Sequence, residues 1–208
     1  DERPPDPRTD PLGLAVPASA SAAARGLLNH QSGAGPLVAL HPGSGAEVKR
    51  WTVGAWATLA RTLNEWGAAV VVTGGPGEEA TAHRVAAAAG VPLPVLAGRT
   101  DLSTLAAVYA TCHLVIGPDS GPLHLAVAAA TATVHLFGPA DPERFGPWGP
   151  ATRHKVVAST LPCVPCGRLD WPDPGDHPCV RAIPVAAPLL AARSILEGFA
   201  GPSTASYN

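Results

Sequence analysis

Short apolar runs alternate with segments of helical periodicity from residue 36 onward, and this alternation most constrains the fold. PLVALH (36–41), AAVVVTGG (68–75), HLVIGPD (113–119), TVHLFG (133–138) and KVVAS (155–159) read as strands, with a weaker one at 94–96. Between them, 52–67, 77–90, 101–112 and 121–130 carry helical spacing, and 185–200 closes the pattern, with Pro188 either in its first turn or kinking it. Gly67 and Gly90 sit where helix-ending glycines belong. Strands that alternate with helices require crossover connections, and nearly continuous apolar strands require cover on both faces. The predicted class is therefore α/β: a Rossmann-like, doubly wound parallel sheet of about six strands.

Residues 1–35 read as an N-terminal arm, Pro-rich and charged over 1–11, followed by an Ala-rich helix at 17–30 with a Ser cap. The domain proper spans 36–200, and 201–208 form a tail. The 208 residues suffice for one large domain. Hydrophobic residues make up 46% and charged residues 14%, which excludes a disordered chain. A formal charge of −2 gives no basic field for nucleic acid. No apolar run reaches the roughly 18 residues of a transmembrane helix. Met is absent, including at position 1, which suggests a piece of something longer.

In doubly wound sheets ligands bind beyond the carboxyl ends of the strands, and the sharpest polar clusters fall there. HPGSGAEVKRW (41–51) combines glycines for close backbone approach, the Ser44 hydroxyl and the mobile cation of Lys49. An ordinary Gly-rich loop with a solvated Lys fits the same spacing. GPDSGPLHLA (117–126) places Asp119, Ser120 and Gly121 at a helix start, where free amides and the helix dipole favour an anion, with His124 in that first turn, near any phosphate bound there. A plain N-cap by Asp119 or Ser120 is the blander reading. TGGPGEEA (73–80) opens a helix with Glu78 and Glu79; either could bind ribose hydroxyls, and either could simply complement the dipole. There is no GxxxxGK[ST] and no GxGxxG, and GPDSG is not a GxSxG elbow, so Ser120 is a poor hydrolase nucleophile.

Of four cysteines, Cys163, Cys166 and Cys179 lie close together in sequence and Cys112 stands apart. CVPC, with His177 and Cys179 downstream, could close a tetrahedral Zn site. Free thiols and a disulfide are the other two readings.

In their order, these motifs resemble glycosyltransferase family 9, the ADP-heptose:lipopolysaccharide heptosyltransferase family, in its C-terminal, donor-binding half. The resemblance rests on 41–51, 74–79, DSGPLHLA (119–126), HLFGPADPERFGPWG (135–149) and the C-P-C…HPC segment (163–179), and covers about residues 36–197. It implies one half of a two-domain GT-B fold. It also implies inverting transfer of a sugar from a nucleotide-sugar, ADP-heptose, to a glycan or glycolipid acceptor, in the cytoplasm or at the inner face of the membrane. Carried over by residue, it makes Lys49 the cation for the donor phosphates. Asp119, Ser120 and Gly121 become the diphosphate loop, His124 lies near the donor, and Glu78 or Glu79 binds the ribose. No cofactor is required on this reading. Thr52 stands where the family usually has Pro after its Trp.

The family's catalytic carboxylate belongs to the N-terminal half, which 208 residues cannot also hold, so no catalytic base is assigned. The missing half, or another polypeptide, is the expected partner. Apolar residues at 189, 190, 195, 196 and 199 suggest a closing helix that buries a patch against it. Two other functions remain open: another GT-B sugar–nucleotide enzyme such as a UDP-sugar epimerase, and a non-catalytic module with a vestigial nucleotide site.

Overall fold

A computed structural model describes residues 5–7, 10–29, 35–173 and 177–198. Five strands form one fully parallel sheet in the order β2-β1-β3-β4-β5: β1 Leu37–Leu40, β2 Ala69–Val72, β3 Leu114–Pro118, β4 Ala132–Phe137 and β5 His154–Ala158. The register pairs Val38 with both Val70 and Leu114, Leu114 with Ala132, and Thr133 with His154.

The weak strand expected at 94–96 contributes a single bridge, Val95 to Val72. Pro94 has no N–H to donate and Pro92 lies just upstream, so the ladder cannot extend. Hence the sheet has five strands rather than six.

Even-numbered residues of β1 to β3, such as Val38, Leu40, Val70, Val72, Leu114 and Ile116, face one core. That core is closed by α2 (Val53–Glu65), α3 (Glu79–Ala89) and, after the short α6 (Pro142–Phe145) and α7 (Pro178–Arg181), by α8 (Ala186–Leu196). Ala39, Val71 and Val115 face a second core, closed by α1 (Ala18–Leu28), α4 (Leu102–Thr111) and α5 (Gly121–Ala128). In α2, Trp56, Leu59 and Leu63 are fully buried, each contributing about 1.5–3 kcal/mol of hydrophobic stabilisation. Thr52 caps α2 by accepting from the Ala55 amide, and Asp101 caps α4 by accepting from the Thr104 amide. Gly67 and Gly90 end α2 and α3 at φ +86° and +70°, a conformation glycine adopts without strain.

Two details differ from the sequence reading. The residue before α1 is Pro17, with no side-chain cap, and Ser21 instead donates its hydroxyl to the Pro17 carbonyl. α1 is also no detached arm: Ala20, Ala24 and Leu28 are buried in the second core, and Trp148 donates to the Asp10 carbonyl. The apolar face of α8 is satisfied internally in the same way. Pro188, Ala192 and Ile195 are buried, Leu189 and Leu196 pack against the core, and among the described residues expected on this face Leu190 alone stands exposed. Phe199 lies outside the described residues.

β1 is followed by β2 on one side and, across the sheet, by β3 on the other. Beyond the carboxyl ends of β1 and β3 the connections diverge and leave a crevice.

Candidate functional site

The crevice is a cleft of about 710 Å³ lined from three loops, a size typical of small-ligand sites. The loop after β1 supplies His41, Ser44, Gly45 and Lys49; the loop after β2 supplies Gly74, Gly75 and Glu78; the loop after β3 supplies Asp119, Ser120 and Gly121. Thr100, Asp101, Leu102 and Leu105 form a further wall. Leu102 is 73% exposed, an apolar rim left open to a ligand.

Lys49 ends a short 3₁₀ turn, Glu47–Lys49, and its Nζ donates to Oδ2 of Asp119 at 2.6 Å. Trp51 anchors this loop: its indole N–H donates to the Ile183 carbonyl, and its ring meets Trp56 edge-on. Burial pushes the Asp119 carboxyl up, but His124 and Lys49 beside it outweigh that and hold it below the usual carboxylate range. Lys49 therefore stands at the cleft with the Asp119 carboxylate fixed behind it.

Ser120 is the N-cap residue of α5, and its carbonyl accepts from the Leu123 and His124 amides. The Gly121 amide opens the helix and has no intrahelical partner by its position, and Pro122 after it has no N–H to satisfy. The Ser120 hydroxyl is enclosed with no hydrogen-bond partner among the described residues. Ser44 is buried and accepts weakly from the Ala46 amide, while Arg50 donates twice to the Ser44 carbonyl and fixes the loop. Together these groups present donors and one cation to an anion.

The structure separates the two glutamates. Glu78 lines the cleft, with Oε2 accepting from the Gly75 amide at 2.7 Å and lying 3.5 Å from Nε2 of His41. Any side chain at Gly43 would overlap the Glu78 carboxylate. Glu79 instead packs against Gly98 and does not line the cleft. His124 does not line it either; its Nε2 stands 3.8 Å from Oδ1 of Asp119, outside the cavity. A helical residue in the first turn projects back along the helix, and here that places His124 beside its own loop's carboxylate.

Sequence reading missed the support beneath Glu78. Nδ1 of His41 lies 3.1 Å from the Thr73 hydroxyl and 3.0 Å from the Tyr109 hydroxyl, all three buried. Burial lowers the His41 pKa to about 4, so it is a neutral orienting group. No local motif ties a strand-end His to a Tyr 68 residues away.

The cysteine cluster does not form the expected Zn site. Among the described residues no group of three or more His, Cys, Asp or Glu side chains is placed to hold a metal ion. His177 Nδ1 already accepts from the Cys179 amide as the cap of a short turn, Pro178–Arg181. All four cysteines are free thiols. Burial, followed by the nearby Cys166 and Cys163, pushes the Cys179 thiol up to about 11.

The family model for glycosyltransferase family 9 (heptosyltransferase) matches residues 13–170, and the chain belongs to that family. It is 34% identical over 141 residues to lipopolysaccharide heptosyltransferase 1 of Pseudomonas aeruginosa, covering 67% of this chain and 38% of that protein. It is 26% identical over 165 residues to lipooligosaccharide heptosyltransferase 2 of Campylobacter jejuni, covering 77% of this chain and 51% of that one. The chain thus spans about half the length of the curated relatives it matches. The fold matches a family 9 glycosyltransferase structure from Veillonella parvula at TM-score 0.75, with 24% identity, over 90% of this chain and 54% of that one. It matches E. coli ADP-heptose lipopolysaccharide heptosyltransferase II at TM-score 0.73, with 23% identity, over 91% and 54%. The architecture is one half of a GT-B fold. No helix among the described residues is long and apolar enough to cross a membrane.

Proposed function

We propose that this chain is the donor-binding half of a heptosyltransferase-type enzyme, taking ADP-heptose and serving inverting transfer to a glycan or glycolipid acceptor at the cytoplasmic face of the membrane. The observation that carries the reading is the convergence of Lys49, the start of α5 and Glu78 in one cleft at the sheet's crevice. On this reading the base packs against Leu102 and Leu105, Glu78 accepts from the ribose hydroxyls, and the diphosphate lies between Lys49, Ser44 and the Ser120–Gly121 turn.

In the transfer, an acceptor oxygen bonds to the anomeric carbon as the bond from that carbon to the phosphate oxygen breaks. The acceptor proton passes to a base, and ADP departs with added negative charge. The described residues serve the second task. A cation and preorganised amides aimed at the leaving diphosphate stabilise charge as it develops, and they act strongly in a partly enclosed cleft. The family's carboxylate base is not among the residues assigned to this chain.

Titration calorimetry of the chain with ADP, UDP and GDP tests the reading. Saturable binding of ADP, at least about tenfold tighter than UDP or GDP, is expected. UDP preference would favour another sugar–nucleotide enzyme, and absence of binding to all three would favour a non-catalytic module.

A further inference from the structure

On the face of β4 that α5 covers, a buried polar file has no role in lining the nucleotide cleft. His135, within β4, is completely buried, and its ring stacks on that of Phe137 at 6.3 Å. Its Nε2 lies 2.9 Å from the Thr133 hydroxyl, and the same hydroxyl lies 2.9 Å from Nδ1 of His154. Nδ1 of His135 is enclosed and has no hydrogen-bond partner among the described residues.

One hydroxyl hydrogen between two neutral rings fixes their tautomers. Burial, then His124 and His154, lowers the His135 pKa to about 3. Burial, then Arg153, lowers that of His154 to about 4. Each ring therefore carries a single N–H near neutral pH. Among the described residues the two rings are the partners of the Thr133 hydroxyl, which has one hydrogen to give. It donates to one ring and accepts from the other. If it donated to His135, Nδ1 of His135 would hold a buried N–H with no acceptor. Among buried backbone groups an orphaned N–H is rarer than an under-satisfied acceptor, and the same cost applies to a ring nitrogen. Hence His135 donates its Nε2–H to Thr133, Thr133 donates to Nδ1 of His154, and His135 keeps a bare acceptor at Nδ1.

The ring beside that acceptor belongs to His124, in the first turn of α5. The two centroids lie 5.7 Å apart with the planes tilted by 58°. His124, His154 and Asp119 are the titratable groups that His135 feels. Nε2 of His124 stands 3.8 Å from Oδ1 of Asp119, and Oδ2 of Asp119 accepts from Lys49. The file thus runs from a buried strand to the cation of the cleft. A small turn of the half-buried His124 ring closes its one open step.

We propose that His135 is a positioning residue for the cleft: its bare Nδ1, fixed in that tautomer by Thr133 and His154, accepts from the His124 ring and steadies it against Asp119, and so steadies Lys49. The effect on ligand rests on the donor-site reading above. The test is nitrogen NMR of the histidine rings in the full chain, with ADP calorimetry alongside. In the parent, His135 should be protonated at Nε2 and bare at Nδ1, and His154 protonated at Nε2. Thr133→Val keeps the shape and removes the hydroxyl. It should mix the His135 tautomers, move the His124 ring signals and weaken ADP about threefold. Thr133→Ser keeps the hydroxyl and should behave as the parent in all three. A packing role alone predicts the reverse, with Val silent and Ser disturbed, and that pattern would overturn the proposal. So would a parent His135 protonated at Nδ1, a result that needs no variant to fold. So would a Thr133→Val chain whose His135 tautomer changes while His124 and ADP affinity do not. A parent that binds no ADP would bring down the donor-site reading, and the His124 signals in Thr133→Val would still decide whether His135 holds that ring.

Discussion

Lys49 and Asp119 lie 70 residues apart in sequence, yet Nζ and Oδ2 meet at 2.6 Å across the crevice between the β1 and β3 loops. The pair does two things. It ties the 3₁₀ turn after β1 to the residue just before α5, and it holds a cation in the cleft that the start of that helix also lines. Lys49→Ala should weaken ADP binding by about 1.5–3 kcal/mol, the range for a hydrogen bond to a charged group. Part of that loss comes from Asp119, which would then face the diphosphate without its counterion. In a double-mutant cycle, Asp119→Asn should therefore recover some of the affinity lost in Lys49→Ala. An unchanged dissociation constant in Lys49→Ala would remove Lys49 from the site.

The two glutamates predict a sharper contrast. Glu78→Ala deletes an acceptor held at the cleft by the Gly75 amide and His41. Glu79→Ala deletes a side chain packed on Gly98. ADP affinity should fall roughly tenfold in the first and stay within twofold, about 0.4 kcal/mol, in the second. Gly43→Ala should mimic Glu78→Ala, because its Cβ takes the space of the carboxylate. Inorganic pyrophosphate, which lacks a ribose, should bind all three variants as it binds the parent.

The fold was largely legible because a parallel sheet covered on both faces writes its strands as unbroken apolar runs, and LVAL, AVVV and LVIGP are such runs. Helix ends were legible where one residue type dictates them, as Gly67 and Gly90 do. What failed depended on neighbours distant in sequence. Adjacent Glu78 and Glu79 look equivalent until Gly43, from another loop, leaves room for only one at the cleft. His124 was placed near the donor by the turn and by the resemblance; the structure sets its Nε2 3.8 Å from Oδ1 of Asp119 without making it part of the cleft lining. CVPC with HPC has metal-like spacing, yet the Cys179 amide uses the His177 ring nitrogen. α8 looked unpartnered because its sequence shows a broad apolar face and does not show the core that receives it.

The thiols should sort by burial. Cys112 is buried, donates to the Val108 carbonyl, and is pushed up to about 12 by desolvation; Cys179 is buried and also raised. Cys163 is exposed and Cys166 half-exposed. An aromatic disulfide reagent at pH 8 should titrate two thiols quickly in the folded chain and all four in denaturant. Preloading with Zn²⁺ should leave the fast pair unprotected. Protection of three thiols by the metal would show that the cluster closes around it after all.

Acid should destabilise the fold earlier than its carboxylates alone would require. Burial lowers His41 to about 4. Burial, then the neighbouring His124 and His154, lowers His135 to about 3. Burial, then Arg153, lowers His154 to about 4. His135 and His154 share the Thr133 hydroxyl at 2.9 Å each, on the face of β4 turned away from the larger core. In the unfolded chain each histidine titrates near 6.5. Between that value and about 4 the unfolded state binds protons that the folded state refuses, so stability rises with pH across this window and falls as pH drops through it. Each such histidine contributes up to about 1.4 kcal/mol per pH unit. Urea unfolding at pH 7.5, 6.5, 5.5 and 4.5 should show little change over the first step and a steepening loss below it. His154→Gln keeps a hydrogen-bonding group toward Thr133 and removes one titrating site, so its slope below pH 6.5 should be about one third shallower. A stability that is flat from pH 7.5 to 4.5, or a His154→Gln slope equal to the parent's, would mean that these rings are not held neutral by the fold.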